Sequence, residues 1–304
     1  MSIPIFLDCD PGHDDAIALL LALASPEVEL LGVTTVHGNQ TLDKTTDNAL
    51  RVLELVGRSD IPVARGADQP LLRDLYVAAH VHGESGLDGP ELPAATAEPV
   101  DEPAIDFVAG RIRPGTVFVA VGPLTNIALY LEAHGTANLD RIVLMGGAIA
   151  EGNMTPAAEF NIWADPEAAH RVFHSGLPVT MIGLDVTHKA LLTPAWLDRF
   201  RAAGLIGTFV AELVVFFKRY HAETYGWDGA PIHDAVAVAQ LLRPSLVRTE
   251  HRNVEIEVDS ELCRGRTVVD LWQRTQRVPN ADVGVDVDSD AFFELLLERI
   301  RGLA

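Results

Sequence analysis

Four aspartates fall within eight residues of the segment DCDPGHDDA, residues 8–16. An apolar run, residues 3–9, leads into it, and a helical pattern, residues 14–24, leads out. Pro11 and Gly12 bend the chain between them, so that Asp10 and Asp15 can converge on one point. Carboxylates this close repel one another, and a hard divalent cation is the usual remedy. Helix capping is the competing account: Asp14 and Asp15 at a helix start satisfy free N–H groups and the macrodipole. Capping leaves Asp8 and Asp10, on the strand side, unexplained.

Four further segments carry residues of the same kind. In PIHDAVAVA (231–239), His233 and Asp234 open an apolar helix after a proline turn. Alone this is a weak sign, because Asp is a routine N-cap. VGPLTNIA (121–128) is a strand end followed by a helix start, and a carbonyl at such an end, that of Val121, can face a metal held by the first strand. EGNMTPAAEFNIWADPEAA (151–169) follows a strand ending at Met145 and places Asn153, Glu159 and Asn161 in a loop before a helix. Such side chains suit a sugar, whose hydroxyls both donate and accept. HGESGLDG (82–89) lies in a long polar loop that could form a lid.

Alternating strand and helix patterns set these segments at one edge. Residues 3–9 are continuously apolar, as in a strand buried on both faces. Residues 30–36 read as a second strand and 42–56 as a helix. Strands follow at 116–121, 141–145 and 179–184, with a helix at 124–131. This order predicts an α/β fold: an open, mostly parallel, doubly wound sheet flanked by helices, with ligands at the C-terminal ends of its strands. Residues 68–103, rich in Pro, Gly and charge, read as a functional loop, because the alternation resumes beyond them. Residues 194–242 read as mainly helical with a break at 225–231. Residues 254–258, 267–271 and 283–287 read as late strands of either direction, and 292–300 as a closing helix. The expectation is one domain, 1–304.

A net charge of −20 with three lysines argues against a nucleic-acid partner, which would need clustered cations. It is compatible with a neutral small-molecule substrate and with a cation held by carboxylates. The first residues lack the basic region of a signal peptide, and the longest apolar candidate span, 205–217, is broken by Glu212. The expectation is a cytoplasmic protein with no membrane partner. Cys9 and Cys263 make neither a disulfide framework nor a zinc site.

Together the motifs resemble those of the inosine–uridine-preferring nucleoside hydrolases, and the resemblance covers nearly the whole chain. DCDPGHDDA is similar to that family's N-terminal metal motif, with Cys9 where Thr is more usual. HGN (37–39), HGESGLDG, VGPLTN, MGGA with the downstream EFN, and PIHD occur in the family's order and approximate spacing. The resemblance implies a tightly bound Ca²⁺ held by Asp10, Asp15, Asp234 and the backbone carbonyl of Val121. It implies a ribose held by Asp14, Asn39, Asn153, Glu159 and Asn161, with Met145 beneath the sugar and His82 and His233 near the base. It also implies a ribonucleoside substrate and a homo-oligomer, dimer or tetramer.

The chemistry suits these residues. Departure of a nucleobase builds positive charge on the ribose, an oxocarbenium-like state that carboxylates stabilise. Asp10, sharing a water with the metal, is the candidate general base. His233 is the favoured donor to the leaving base, since imidazole titrates near neutral pH, and His82 is the other candidate. Several oxygen ligands favour Ca²⁺ over Mg²⁺, and the lack of an accompanying Cys or His pair argues against zinc.

Asp8–Cys9–Asp10 also superficially matches the nucleophile motif of haloacid dehalogenase-type phosphatases, but a phosphate-binding Lys is missing. A non-catalytic nucleoside-binding protein is the other alternative, against which Asp10 and His233 stand. FFKRYHAETYGW (216–227) should line the base side. Tyr225 stands where pyrimidine-preferring members carry a similar residue, whereas Phe217 and His221 depart from the polar residues those members carry nearby. The reading leans to pyrimidine ribosides such as uridine, with purine or unselective hydrolysis as the alternative.

Overall fold

Phe6 lies on one face of the first strand while Ile5, Leu7 and Cys9 lie on the other, and all four are fully buried. A strand buried on both faces needs a layer of helices on each side, and the rest of the chain supplies them. The computed structural model describes residues 2–303. Along the chain the strands are β1 (Ile3–Cys9), β2 (Val28–Thr35), β3 (Val63–Arg65), β4 (Thr116–Ala120), β5 (Leu139–Met145), β6 (Val179–Ile182), β7 (Leu191–Leu192), β8 (Ala230–Pro231), β9 (Val247–Arg252), β10 (Val254–Ile256), β11 (Thr267–Val269) and β12 (Ala281–Val287). The helices are α1 (His13–Leu23), α2 (Leu42–Leu55), α3 (Ala79–His82), α4 (Ala104–Arg111), α5 (Thr125–His134), α6 (Phe160–Ala164), α7 (Pro166–Phe173), α8 (Leu184–Thr187), α9 (Pro194–Arg201), α10 (Leu205–Tyr225), α11 (His233–Leu242) and α12 (Ser289–Arg301).

The main sheet runs β3-β2-β1-β4-β5-β6-β12-β9, parallel except for β9. Helices α1, α2 and α9 to α12 contribute to the core on one face, and α4, α5 and α7 to the core on the other. The chain winds outward from β1 through β2 to β3, then returns to pair β4 with the other side of β1. The strand order therefore reverses between β1 and β4, and a crevice opens beyond their C-terminal ends. Asp8 pairs in register with Ala120 there, so Asp10 and Val121 both leave the sheet at that crevice.

The expected doubly wound α/β sheet is thus observed, with differences at the late strands. Residues 247–252 add an edge strand, β9, that their charged sequence VRTEHR conceals; edge positions face solvent and need no apolar pattern. The segments near 254–258 and 267–271 pair with each other as the separate antiparallel ribbon β10–β11. The segment near 283–287 enters the main sheet parallel to β6. Among the described residues no helix is long and apolar enough to cross a membrane.

Asn126, at the start of α5, ties three strand ends together. Its amide donates to Asp8 Oδ1 (2.7 Å) and to the Thr35 carbonyl (3.0 Å), and its Oδ1 accepts from the Ala67 N–H (2.8 Å). Asp8, which capping left unexplained, is absorbed by this knot and by the Thr34 hydroxyl at 2.5 Å. Burial nevertheless pushes its carboxyl up to about 7. Replacing Asn126 with Ala strands buried partners on all three segments, so Asn126→Ala should lower the unfolding free energy by about 2–4 kcal/mol. Urea denaturation checks this, and an unchanged midpoint would show that the knot is dispensable.

Candidate active site

Asp15 is the hub of the carboxylate cluster. Its Oδ1 accepts from the Asp10 N–H (3.0 Å), and its Oδ2 accepts from the Gly12 N–H (3.0 Å) and from Asn39 Nδ2 (2.8 Å). It therefore does cap the start of α1, as the bland account required, while also facing the crevice. Helix α11 packs beside α1, so the two N-termini deliver their acids to one place. Carboxylate oxygens of Asp14, Asp15 and Asp234 lie within 4.8 Å of one another and all three residues are buried. The backbone amides of His233 and Asp234 face the Asp14 carboxylate.

Asp10 stands on the other side of Asp15. Its Oδ2 accepts from the Asn39 N–H at 2.6 Å, while its Oδ1 is buried without a hydrogen-bond partner. The backbone closes on this side chain through two glycines. A Cβ on Gly38 would lie 2.1 Å from Asp10 Oδ2, and one on Gly122 would lie 2.5 Å from Oδ1. Gly38 also has φ +150°, which disfavours any side chain.

No Lys or Arg forms an ion pair with these aspartates among the described residues. Burial first, and mutual repulsion second, push Asp10 and Asp234 well above the ordinary carboxylate range and raise Asp14 to about 8. An all-oxygen donor set with one unpartnered carboxylate oxygen fits a hard divalent cation. Of the expected ligands, Asp15 and Asp234 fall in that group together with Asp14, expected on the sugar, while Asp10 lies outside it and is joined to it through its N–H on Asp15 Oδ1. The Val121 carbonyl accepts from Asn161 Nδ2 at 2.9 Å, which leaves it one lone pair.

A cavity opens from this cluster. Asp14, Asn39, Val121, Met145, Asn153, Glu159, Asn161, His82, Tyr225, His233 and Asp234 line it, so the predicted sugar and base residues share one chamber. Glu159 caps α6 and accepts from the amides of Gly147, Asn161 and Ile162; burial still raises it to about 7. Asn153 Oδ1 accepts from the Phe160 N–H at 2.9 Å, which fixes that loop over the cavity. Asn39 Nδ2 gives one hydrogen to Asp15, and the residue lines the cavity together with Asp14.

Imidazoles and aromatics also line the cavity. Tyr225 stacks on Trp227 (4.5 Å, 19°), and His221 stacks against Trp227 in turn (6.1 Å, 12°). His82 stacks on Phe217 at 5.3 Å. The loop carrying His82 is tied down through Gln40 to the Gly83 carbonyl and Asn48 to the Ser85 carbonyl. His13 Nε2 lies 2.8 Å from the Asp88 carbonyl and His13 Nδ1 lies 3.1 Å from His82 Nδ1. Burial holds His13 and His221 down to about 4, and His82 and His233 well below the ordinary imidazole range. The expectation that His233 titrates near neutral pH is corrected by that burial, which disfavours the charged ring.

Sequence reasoning passed over His188, Tyr220 and His80, which also line the cavity. His188 follows the C-terminal end of β6 by six residues, so the strand-end rule that flagged the other motifs applied there too. The segment was overlooked because LDVTHK carries no cluster of like residues.

Comparison with known proteins agrees with this geometry. The family model described as inosine–uridine-preferring nucleoside hydrolase matches residues 5–294. The chain is 53% identical over 308 residues to a pyrimidine-specific ribonucleoside hydrolase, RihA, of Salmonella arizonae, and 52% identical over 307 residues to the protein of that name in Klebsiella pneumoniae. Each comparison covers 99% of both chains. Among solved structures, a purine-preferring ribonucleoside hydrolase from Gardnerella vaginalis superposes with a TM-score of 0.92 at 36% identity, covering 99% of this chain and 98% of the other. A plant nucleoside hydrolase superposes at 0.91 with 33% identity, covering 99% of each chain. A match of this extent, with acids and imidazoles lining one cavity, means that the chain belongs to the inosine–uridine-preferring nucleoside hydrolase family, enzymes that split ribonucleosides into base and ribose.

Proposed function

We propose that this chain is a Ca²⁺-dependent, pyrimidine-preferring ribonucleoside hydrolase, one domain throughout, working in the cytoplasm as a homo-oligomer. The observation that carries the catalytic reading is that one cavity is lined both by buried carboxylates without a cationic partner and by imidazoles whose charged form burial disfavours. Asp10, Asp15, Asp234 and the Val121 carbonyl would hold the ion, with Asp14 beside them. Such an ion, when bound, polarises water and the ribose diol as a Lewis acid. The unpartnered Asp10 Oδ1 takes the proton of the attacking water. Glu159, Asn153, Asn161 and Asn39 orient the sugar, with Met145 against its underside, and the neighbouring acids stabilise the positive charge that grows on it.

His233 offers an N–H to the departing base. His82 suits that role less well. The neutral His13 gives its Nε2–H to the Asp88 carbonyl, so its Nδ1 accepts from the Nδ1–H of His82. The remaining nitrogen of His82 is then an acceptor. A longer approach of the His13 amide to the same His82 nitrogen, 3.4 Å, is the weaker contact. The pyrimidine preference is supported by the names of relatives at 52–53% identity and by Tyr225 on the base wall; the purine-preferring structure is more distant, at 36%. The oligomer rests on the family resemblance.

Cation binding should be linked to pH. Asp14 keeps its proton to about pH 8 in the folded chain but loses it near 3.8 when unfolded. The cation-free fold therefore binds more protons than the unfolded chain between these values, and its stability falls as pH rises from about 5 to 8. A bound cation takes the protons' place and removes that loss. Thermal melts with chelator and with Ca²⁺ should diverge progressively above pH 5. Parallel curves would contradict the site.

Substrate choice follows from the grip on the diol. Uridine should be hydrolysed with kcat/KM at least about 100-fold above 2′-deoxyuridine, because a missing hydroxyl leaves buried polar groups unpaired. Uridine and cytidine should exceed inosine in the same panel. Comparable values for uridine and deoxyuridine would mean that the diol is not held.

His233→Ala should slow uridine by roughly 10²–10⁴-fold, the span expected of an acid–base group. It should leave a p-nitrophenyl riboside, whose leaving group needs no proton, nearly untouched. Equal slowing of both would reduce His233 to a support for Asp234.

A further inference from the structure

His233 is held by one side chain. Its Nδ1 lies 2.7 Å from the hydroxyl of Thr187, which is fully buried at the end of α8. Among the described residues Thr187 Oγ1 has no other hydrogen-bond partner, and His233 Nε2 bonds to no protein group while the residue lines the cavity. A hydroxyl always carries one hydrogen, and a buried one needs an acceptor for it. Here the one acceptor in reach is His233 Nδ1. The carbonyl four residues back in the chain, Gly183 O, already receives the Thr187 backbone N–H, and the hydroxyl does not turn to it.

We infer that Thr187 is a positioning residue: its hydroxyl donates to His233 Nδ1 and so fixes the His233 proton on Nε2, the nitrogen turned to the cavity. The direction of this one bond decides whether His233 presents a donor or an acceptor to the leaving base. Were Nδ1 to carry the proton, Nε2 would face the base with a lone pair, and the Thr187 hydrogen would have no acceptor. His82 is the contrast, since its partner His13 draws its proton inward. The two imidazoles on the base wall thus carry opposite tautomers, each set from behind by a residue outside the cavity lining. This inference rests on the reading of His233 as the donor.

The test uses the Ca²⁺-loaded enzyme. Thr187→Val keeps the shape and removes the hydroxyl, leaving the tautomer unfixed; Thr187→Ser restores it. Thr187→Val should slow uridine about tenfold, the equivalent of one hydrogen bond. It should leave the p-nitrophenyl riboside within about twofold, and Thr187→Ser should return to near the original rate. Independently of any Thr187 variant, ¹⁵N–¹H correlation spectra of histidine-labelled enzyme, with the His233 signals identified by their loss in His233→Gln, should show the proton on Nε2. A proton on Nδ1, equal slowing of both substrates by Thr187→Val, or full uridine activity in Thr187→Val would each overturn the inference. His233→Ala is measured beside them. If it is selective for uridine while Thr187→Val is not, only the role of Thr187 falls. If it slows both substrates alike, the donor reading itself falls.

Discussion

Burying Asp10, Asp14, Asp15 and Asp234 against one another, with no lysine or arginine among them, is the most costly arrangement in this molecule, and the rest of the fold is organised to hold it. Two helix N-termini supply partial positive charge: α1 under Asp15 and α11 opposite Asp14. Asn39 contributes its backbone N–H to Asp10 and its side chain to Asp15. Gly38 and Gly122 allow the backbone to come within a distance of Asp10 that no Cβ would permit. These devices hold the acids in place, while burial first and mutual repulsion second raise their proton affinities. A hard cation, or a sugar on which positive charge grows, would favour their ionised forms.

The parallel sheet makes this affordable in structural terms. Because the winding reverses between β1 and β4, their ends diverge and leave room for the acids at the starts of α1 and α11 to meet. The imidazoles and aromatics that line the cavity come chiefly from α10, the start of α11 and the tied loop around α3.

Much of this was legible in the residues alone. The continuous apolar run of β1 and the aspartates after it marked both the sheet and its functional edge, because burial on two faces and charge repulsion leave unmistakable sequence patterns. PIHD and EFN gained weight only in combination, since each alone is an ordinary helix start. Other features left no pattern. β9 is an edge strand of charged residues. Asp8 proved to belong to a knot with Asn126 and Thr34, a long-range contact that no local spacing encodes. The contact of the Thr187 hydroxyl with His233 joins residues far apart in the chain, and the lowered proton affinity of His233 follows from burial that only the packed structure reveals.

The central claim is that the acids converge on a cation. Anomalous diffraction from crystals grown in Ca²⁺ tests it most directly, because it locates the ion instead of its consequences. The account predicts one peak per chain at the C-terminal ends of β1 and β4, about 2.3–2.6 Å from carboxylate oxygens of Asp10, Asp15 and Asp234 and from the Val121 carbonyl. No peak at that crevice, or a peak bound only by surface carboxylates, would contradict it.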